Sequence, residues 1–142
     1  ARGRILFALD NGGAKRDLYI EGHPSLTGRV LFTDSPAGTP EAAFMKKNDP
    51  RPDPEGIAEL VRQGYMVRTR ADADTEEARS GDTMRRDTAL ATGAQFISTD
   101  YPVPDPAFTD YRVTLPGGGI ARCNPVNPGA CTGDLLGLFE LP

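Results

Sequence analysis

Each of four short apolar runs in this chain is followed closely by aspartate. The runs close as Leu9-Asp10-Asn11-Gly12-Gly13, Thr33-Asp34-Ser35-Pro36, Arg68-Thr69-Arg70-Ala71-Asp72-Ala73-Asp74 and Ser98-Thr99-Asp100-Tyr101-Pro102. If the runs are strands alternating with helices, their carboxyl ends share one edge, where strand-helix proteins gather their active sites. Carboxylates meeting two arginines there suit a divalent cation beside an anionic substrate, because oxygen ligands hold calcium or magnesium and guanidinium forks hold phosphate oxygens. Arg68 and Arg70 stand two residues apart and so share one strand face. Two like charges in one layer call for anions, either from a ligand or from the same aspartates as ion pairs. Each aspartate also has a plain reading, since Asp after a strand is a common helix N-cap or Asx-turn residue.

Other chemistry is thin. Asp72-Ala73-Asp74 has the spacing of a calcium loop without the glycine and distal glutamate of an EF-hand. Gly12-Gly13 and Gly117-Gly118-Gly119 come without a Walker lysine or a dinucleotide fingerprint and read as turns. His23 is the single histidine; it precedes the second run and therefore belongs to the opposite rim. The chain holds no second histidine for an acid/base pair, no GxSxG elbow and no Cys-His nucleophile.

The elements that must position these residues follow from hydrophobic patterning. Arg4 to Leu9, Arg29 to Thr33, Tyr65 to Arg70 and Gln95 to Thr99 read as strands, and their starts lie 25, 36 and 30 residues apart, as repeated strand-helix units require. Asp53-Pro54-Glu55 predicts a capped helix with Ile57, Leu60 and Val61 on one face and Gly64 as its stop. Asp74 and Glu77 suggest a capping box for a second, less regular helix through Met84 and Leu90, interrupted at Gly81 and ending at Gly93. A short turn of helix fits Lys15 to Ile20. After Thr99, Pro102, Pro104 and Pro106 forbid regular structure, Tyr111 to Leu115 alternates like one further strand, and Leu135 to Leu141 could pack back as a last strand or fray. Crossover helices imply parallel strands. Four units do not close a barrel, which takes about 250 residues, so the fold class is α/β as a small open sheet or half of a barrel.

Composition narrows the function classes. The chain has 142 residues with 16 basic and 20 acidic side chains, a net charge of −4, which speaks against a nucleic-acid module held by phosphate contacts. Mean hydropathy is −0.41, and no apolar run approaches the roughly 20 residues of a membrane-spanning helix. The start at Ala1, without Met and with a strand-like run at once, reads as a processed or excised piece. Cys123 and Cys131 flank a tight Pro- and Gly-rich loop; in an exported protein they would form a disulfide, with free thiols or a metal site as the alternatives.

Taken together, the segments from Gly64 to Thr75 (GYMVRTRADADT) and from Gly93 to Pro102 (GAQFISTDYP), with Ala78-Arg79 and Arg85-Arg86 between them, resemble the bacterial Ca2+-dependent phosphoinositide phospholipase C-like family. LFALDN, GRVLFTD and the Arg122-Cys123-Asn124-Pro125 piece with Cys131 are similar to the same family, so the resemblance covers nearly the whole chain. It implies the C-terminal half of a (β/α)8 TIM-type barrel over residues 1–106, a β/loop extension over 107–142, a secreted or periplasmic bacterial location and a Ca2+ cofactor. It also implies that the histidine acid and base and most calcium ligands belong to a first half that this sequence lacks, so the partner would be that half or a second copy of the chain. On the resemblance, Arg68 and Arg70 contact phosphate or a polyol ring, Asp72 joins them in substrate binding, and Asp100 orients a base or binds a substrate hydroxyl. Asp10 and Asp34 stand further back as metal-ligand candidates. The Thr99-Asp100-Tyr101-Pro102 ending is also similar to glycerophosphodiester phosphodiesterases, and a non-catalytic fragment or interaction domain is the rival from another class.

Overall fold

Strand β4, Met66–Arg70, follows a two-residue period: Val67 and Thr69 are fully buried, while Met66, Arg68 and Arg70 are only half-buried. An alternating strand of this kind divides a sheet into a packed face and an open one. The computed structural model describes residues 5–129 and 131, and β4 lies between two parallel neighbours. Strand β3, Phe44–Lys47, sets Met45 beside Val67 and Lys46 beside Arg68; strand β5, Phe96–Ser98, sets Phe96 beside Arg68 and Ser98 beside Arg70. Two shorter strands, β1 (Ala8–Leu9) and β2 (Phe32–Thr33), also pair in parallel, and an Asp34–Phe44 bridge carries the same direction from β2 to β3.

The protein is therefore α/β with five parallel strands among the described residues, where patterning predicted four. The missed strand, β3, occupies the longest of the intervals between predicted strands. Its Phe44-Met45-Lys46-Lys47 sequence is too short and too basic to register as an apolar run, yet Phe44 and Met45 are buried. Strands β1 and β2 are much shorter than the runs that announced them.

Helix α2, Pro54–Arg62, forms as its sequence predicts. The Asp53 carboxylate accepts from the Gly56 N–H at 2.9 Å, Pro54 takes the first turn, and Gly64 at φ 91° ends the helix in a conformation that favours glycine. Its Ile57 and Val61 pack on Val67 and Ala94, with Leu60, Tyr65 and Val126 around them. The less regular helix is two: α3, Glu76–Ser80, stops at left-handed Gly81, and α4, Met84–Ala91, restarts with Asp82 accepting from the Met84 N–H at 2.8 Å. Asp74 does not cap α3; it sits at φ 52°, and the Glu77 carboxylate instead accepts from the Ala73 N–H at 2.9 Å. The predicted early turn is α1, Ala14–Ile20.

The C-terminal extension corrects a second expectation. Tyr111 to Leu115 is not a strand; Val113 makes one backbone bond to Tyr101, and the segment is held by side chains instead. Tyr101, Tyr111 and Ala78 form a small core with Phe108, the two tyrosine rings meeting edge to face at 5.8 Å. The Cys123–Cys131 disulfide is formed, and Asn124 donates to the Gly93 carbonyl at 2.7 Å, docking the loop on the turn before β5. Leu135 to Leu141, read as a last strand or tail, lies outside the described residues, as does Arg4.

Val67 is the centre of the larger core. Val67→Ala should lower stability by about 2 kcal/mol through lost burial and the cavity left behind, read as a lower urea midpoint with an unchanged slope; an unaltered midpoint would remove Val67 from the core.

Candidate functional site

The open face of the sheet carries a row of cations. Parallel register puts Lys46 beside Arg68, and the two-residue period adds Arg70 on the same face. Around the row stand residues that leave the carboxyl ends of the strands. Asp10, after β1, pairs with the Lys46 ammonium at 3.0 Å, and the same ammonium donates to the Asp10 carbonyl at 2.7 Å. Asp34, after β2, accepts from the Lys46 backbone N–H at 2.8 Å. Asn48, after β3, accepts from the Arg68 guanidinium at 2.7 Å, and Asp100, beyond β5, lies 3.9 Å from Arg70. The sequence-predicted residues Asp10, Asp34, Arg68, Arg70 and Asp100 thus gather at the carboxyl ends of two parallel sheets, β1-β2 and β3-β4-β5, that the Asp34–Phe44 bridge joins.

Charge is unevenly answered within this row. Asp10 and Asp100 are the more exposed partners of their pairs, and Arg68 meets only a neutral amide oxygen. Among the described residues Arg68 forms no ion pair. A guanidinium held by an amide and flanked by Lys46 and Arg70 keeps most of its fork for an incoming anion.

Asp72 occupies a different place from the rest. It is 1% exposed and accepts from the Thr99 hydroxyl at 2.5 Å and the Asp100 N–H at 3.0 Å, so it ties the end of β4 to the end of β5. The Tyr111 hydroxyl donates to the Ala71 carbonyl at 2.9 Å and lies 3.4 Å from Asp72. Burial, then the Asp72 charge, pushes the Tyr111 phenol above its ordinary value, so it stays a donor. With its oxygens spent this way, Asp72 faces the protein in this structure, and its bearing on the cationic row passes through Asp100.

A second ionic cluster braces the site from behind. Arg85, 7% exposed, sets its guanidinium 2.9 Å from Glu77 and 3.5 Å from Asp49, and Arg51 grips Asp49 with two bonds of 3.0 and 2.8 Å. The Arg51 fork holds the Asp49 carboxyl down at about 2. The buried Glu77 carboxylate answers Arg85 with one oxygen and the Ala73 N–H with the other, so the cluster spans the loops after β3 and β4.

Comparison with protein families gives a match over residues 1–125 to the phosphoinositide phospholipase C, Ca2+-dependent, family. This chain belongs to that family. A search of curated proteins found no match, and neither did a search of solved structures.

The family's name specifies calcium, and the donor set here was weighed against it. Among the described residues no three acidic, histidine or cysteine side chains converge as a cation cage. Asp10 pairs with the Lys46 ammonium, whose positive charge opposes a cation beside it, and Asp34 spends one oxygen on the Lys46 backbone N–H. The residues present in this phospholipase C-family chain therefore do not make a calcium site by themselves, and no step is assigned to the ion. His23, before β2, donates from Nδ1 to the Thr27 carbonyl at 2.9 Å.

Sequence reasoning missed Lys46, Asn48 and the Asp49–Arg85–Glu77 cluster. Lys46 and Asn48 went unseen with β3 itself, although the 36-residue gap between predicted strand starts is long enough for an added strand. Glu77 reads as half of a capping box and Arg85 only as part of the family-like stretch, and neither reading announces burial, since charged side chains are mostly exposed.

Asp49 provides a test of the brace. A carboxyl held below its ordinary value stabilises the fold fully above that value, and the contribution disappears as pH falls through the lowered one. Stability should therefore drop between about pH 4 and pH 2, and Asp49→Asn should flatten that acid limb in thermal melts; an identical limb in both proteins would show the Arg51–Asp49–Arg85 contacts to be energetically idle.

Proposed function

We propose that this chain supplies the phosphate- and polyol-binding part of a calcium-dependent, phospholipase C-like phosphodiesterase acting on phosphoinositides or related phosphodiesters. The observation that carries the reading is the Lys46–Arg68–Arg70 row on the open face of a parallel sheet, at the edge where Asp10, Asp34 and Asp100 emerge. Family membership supplies the substrate class. The parallel strands are consistent with the C-terminal half of a (β/α)8 barrel whose lumen-facing side is this open face, with residues 1–106 as the barrel part and 107–142 as an extension.

Cleavage of a phosphodiester by a neighbouring hydroxyl needs a base for the attacking oxygen, an acid for the leaving oxygen and positive charge for the phosphoryl oxygens. This chain answers the third need. Arg68 and Arg70 bind the phosphoryl oxygens or adjacent ring hydroxyls, Lys46 adds charge at the rim, and Asp100 accepts from a substrate hydroxyl while aligning Arg70. Asp72 holds the Asp100 backbone in place. The acid, the base and the calcium ligands come from a complementary barrel half. The disulfide fits a secreted or periplasmic protein, and among the described residues no helix is long and apolar enough to cross a membrane.

Large apolar side chains around β1 support a covering partner. Ile5 and Phe7 lead into β1, Leu18 sits on α1 and Val30 precedes β2, all strongly exposed. Such surface favours association with the complementary half or with a second copy. Sedimentation velocity of the isolated chain should show concentration-dependent self-association that vanishes when the other half is supplied; a stable monomer at high concentration would contradict this.

Arg70→Ala in the complete enzyme should reduce turnover of phosphatidylinositol by about 10²-fold or more, the scale of losing a preorganised group at developing charge. Unchanged kinetics would take Arg70 out of the site, and hydrolysis of glycerophosphodiesters but not phosphatidylinositol would select the neighbouring phosphodiesterase class instead.

A further inference from the structure

The cluster behind the sheet reaches both arginines of the cationic row. From Arg85 one path runs to Asp49 at 3.5 Å and so to Asn48, the next residue, whose amide oxygen holds Arg68 at 2.7 Å. The other runs to Glu77 at 2.9 Å, on to the Ala73 N–H at 2.9 Å and to Asp72, the next residue, which receives the Asp100 N–H at 3.0 Å; Asp100 faces Arg70. A single buried guanidinium therefore spans the two loops that aim Arg68 and Arg70, and Arg85 and Glu77 at the head of the two paths are themselves shielded from the open face.

Burying such a pair is costly in its own right. Two charges withdrawn from water gain stability only where geometry and further hydrogen bonds compensate, and apolar residues of similar volume commonly serve the fold as well. Both helices already have apolar anchors, Ala78 of α3 packing with Tyr101 and Tyr111 and Ala89 of α4 fully buried. What apolar residues would not supply is an ionic link between the β3 and β4 loops: among the described residues the Arg85 guanidinium makes no well-aligned hydrogen bond, its Nε included, but it is held between two carboxylates by charge, whereas dispersion contacts are individually weak.

We propose that Arg85 is a positioning residue that fixes Arg68 and Arg70 for anion binding by coupling the loop after β3 to the loop after β4 through Asp49 and Glu77. The inference rests on the anion-binding reading above and gives that site its supporting frame. Lysine does not replace arginine here. An ammonium is a compact charge at one point, whereas the Arg85 fork addresses Glu77 and Asp49 through different nitrogens.

The test compares the 142-residue chain with Arg85→Lys and with the double variant Glu77→Met/Arg85→Met, using inositol 1-phosphate as the probe in calorimetric titration and thermal melts beside it. Arg85→Lys keeps a cation for buried Glu77 and should melt near wild type, yet bind the probe roughly tenfold more weakly, the scale on which small misplacements act. The double variant removes both buried charges, so its melting temperature should return toward wild type while its affinity remains reduced. Recovery of affinity together with stability would overturn the proposal, because a merely structural pair predicts that the two move together. If the wild-type chain fails to bind the probe, the anion-binding reading falls by itself. The positioning claim is then decided by the Arg68 Nε–H NMR signal: broadening or splitting in Arg85→Lys supports it, and an unchanged signal overturns it.

Discussion

The alternation of β4 is the constraint on which the rest of the molecule depends. Five residues place Val67 and Thr69 toward helices α2 and α4 and Arg68 and Arg70 toward the opposite side. A slip of one residue would drive both guanidinium groups into the apolar layer and expose the core, so the parallel pairing with β3 and β5 is strongly specified. Once that register is set, Lys46 falls beside Arg68, and the aspartates that follow the strands collect at one edge.

Asp72 shows how the edge is kept in order. A buried carboxylate that accepts from a side-chain hydroxyl and a backbone N–H acts as a knot between adjacent strand ends, and Tyr111 brings the C-terminal extension into the same knot. Among its described residues the extension has no helix or strand, and the packing of Tyr111 and Phe108 with Tyr101 and the disulfide take over the work that secondary structure does elsewhere.

Much of this was legible from residue order. The Asp53-Pro54 start and Gly64 stop of α2, the shared face of Arg68 and Arg70, the placement of Asp10, Asp34 and Asp100 at strand ends and the cysteine pairing all follow from local rules that act within a few residues. What escaped was decided by long-range packing. Strand β3 is short and half basic, and only its pairing with β4 makes it a strand. Tyr111 to Leu115 alternates like a strand, but the tyrosine ring is claimed by the small aromatic core and the segment never joins the sheet. The burial of Asp72, Glu77 and Arg85 likewise depends on loops that come together only after folding.

The division of β4 into two faces also bears on how a protein of this kind can change. Residues that hold the fold and residues of the open cationic face alternate along one strand, yet they answer to different neighbours. Replacing Arg68 or Lys46 alters the charge of the open face without removing any member of the Ile57–Val61–Val67 packing. Natural variation can therefore change the charge and shape of one side of the sheet while selection for a folded chain acts on the other, so that inheritance of the scaffold and divergence of its open face proceed on separate tracks.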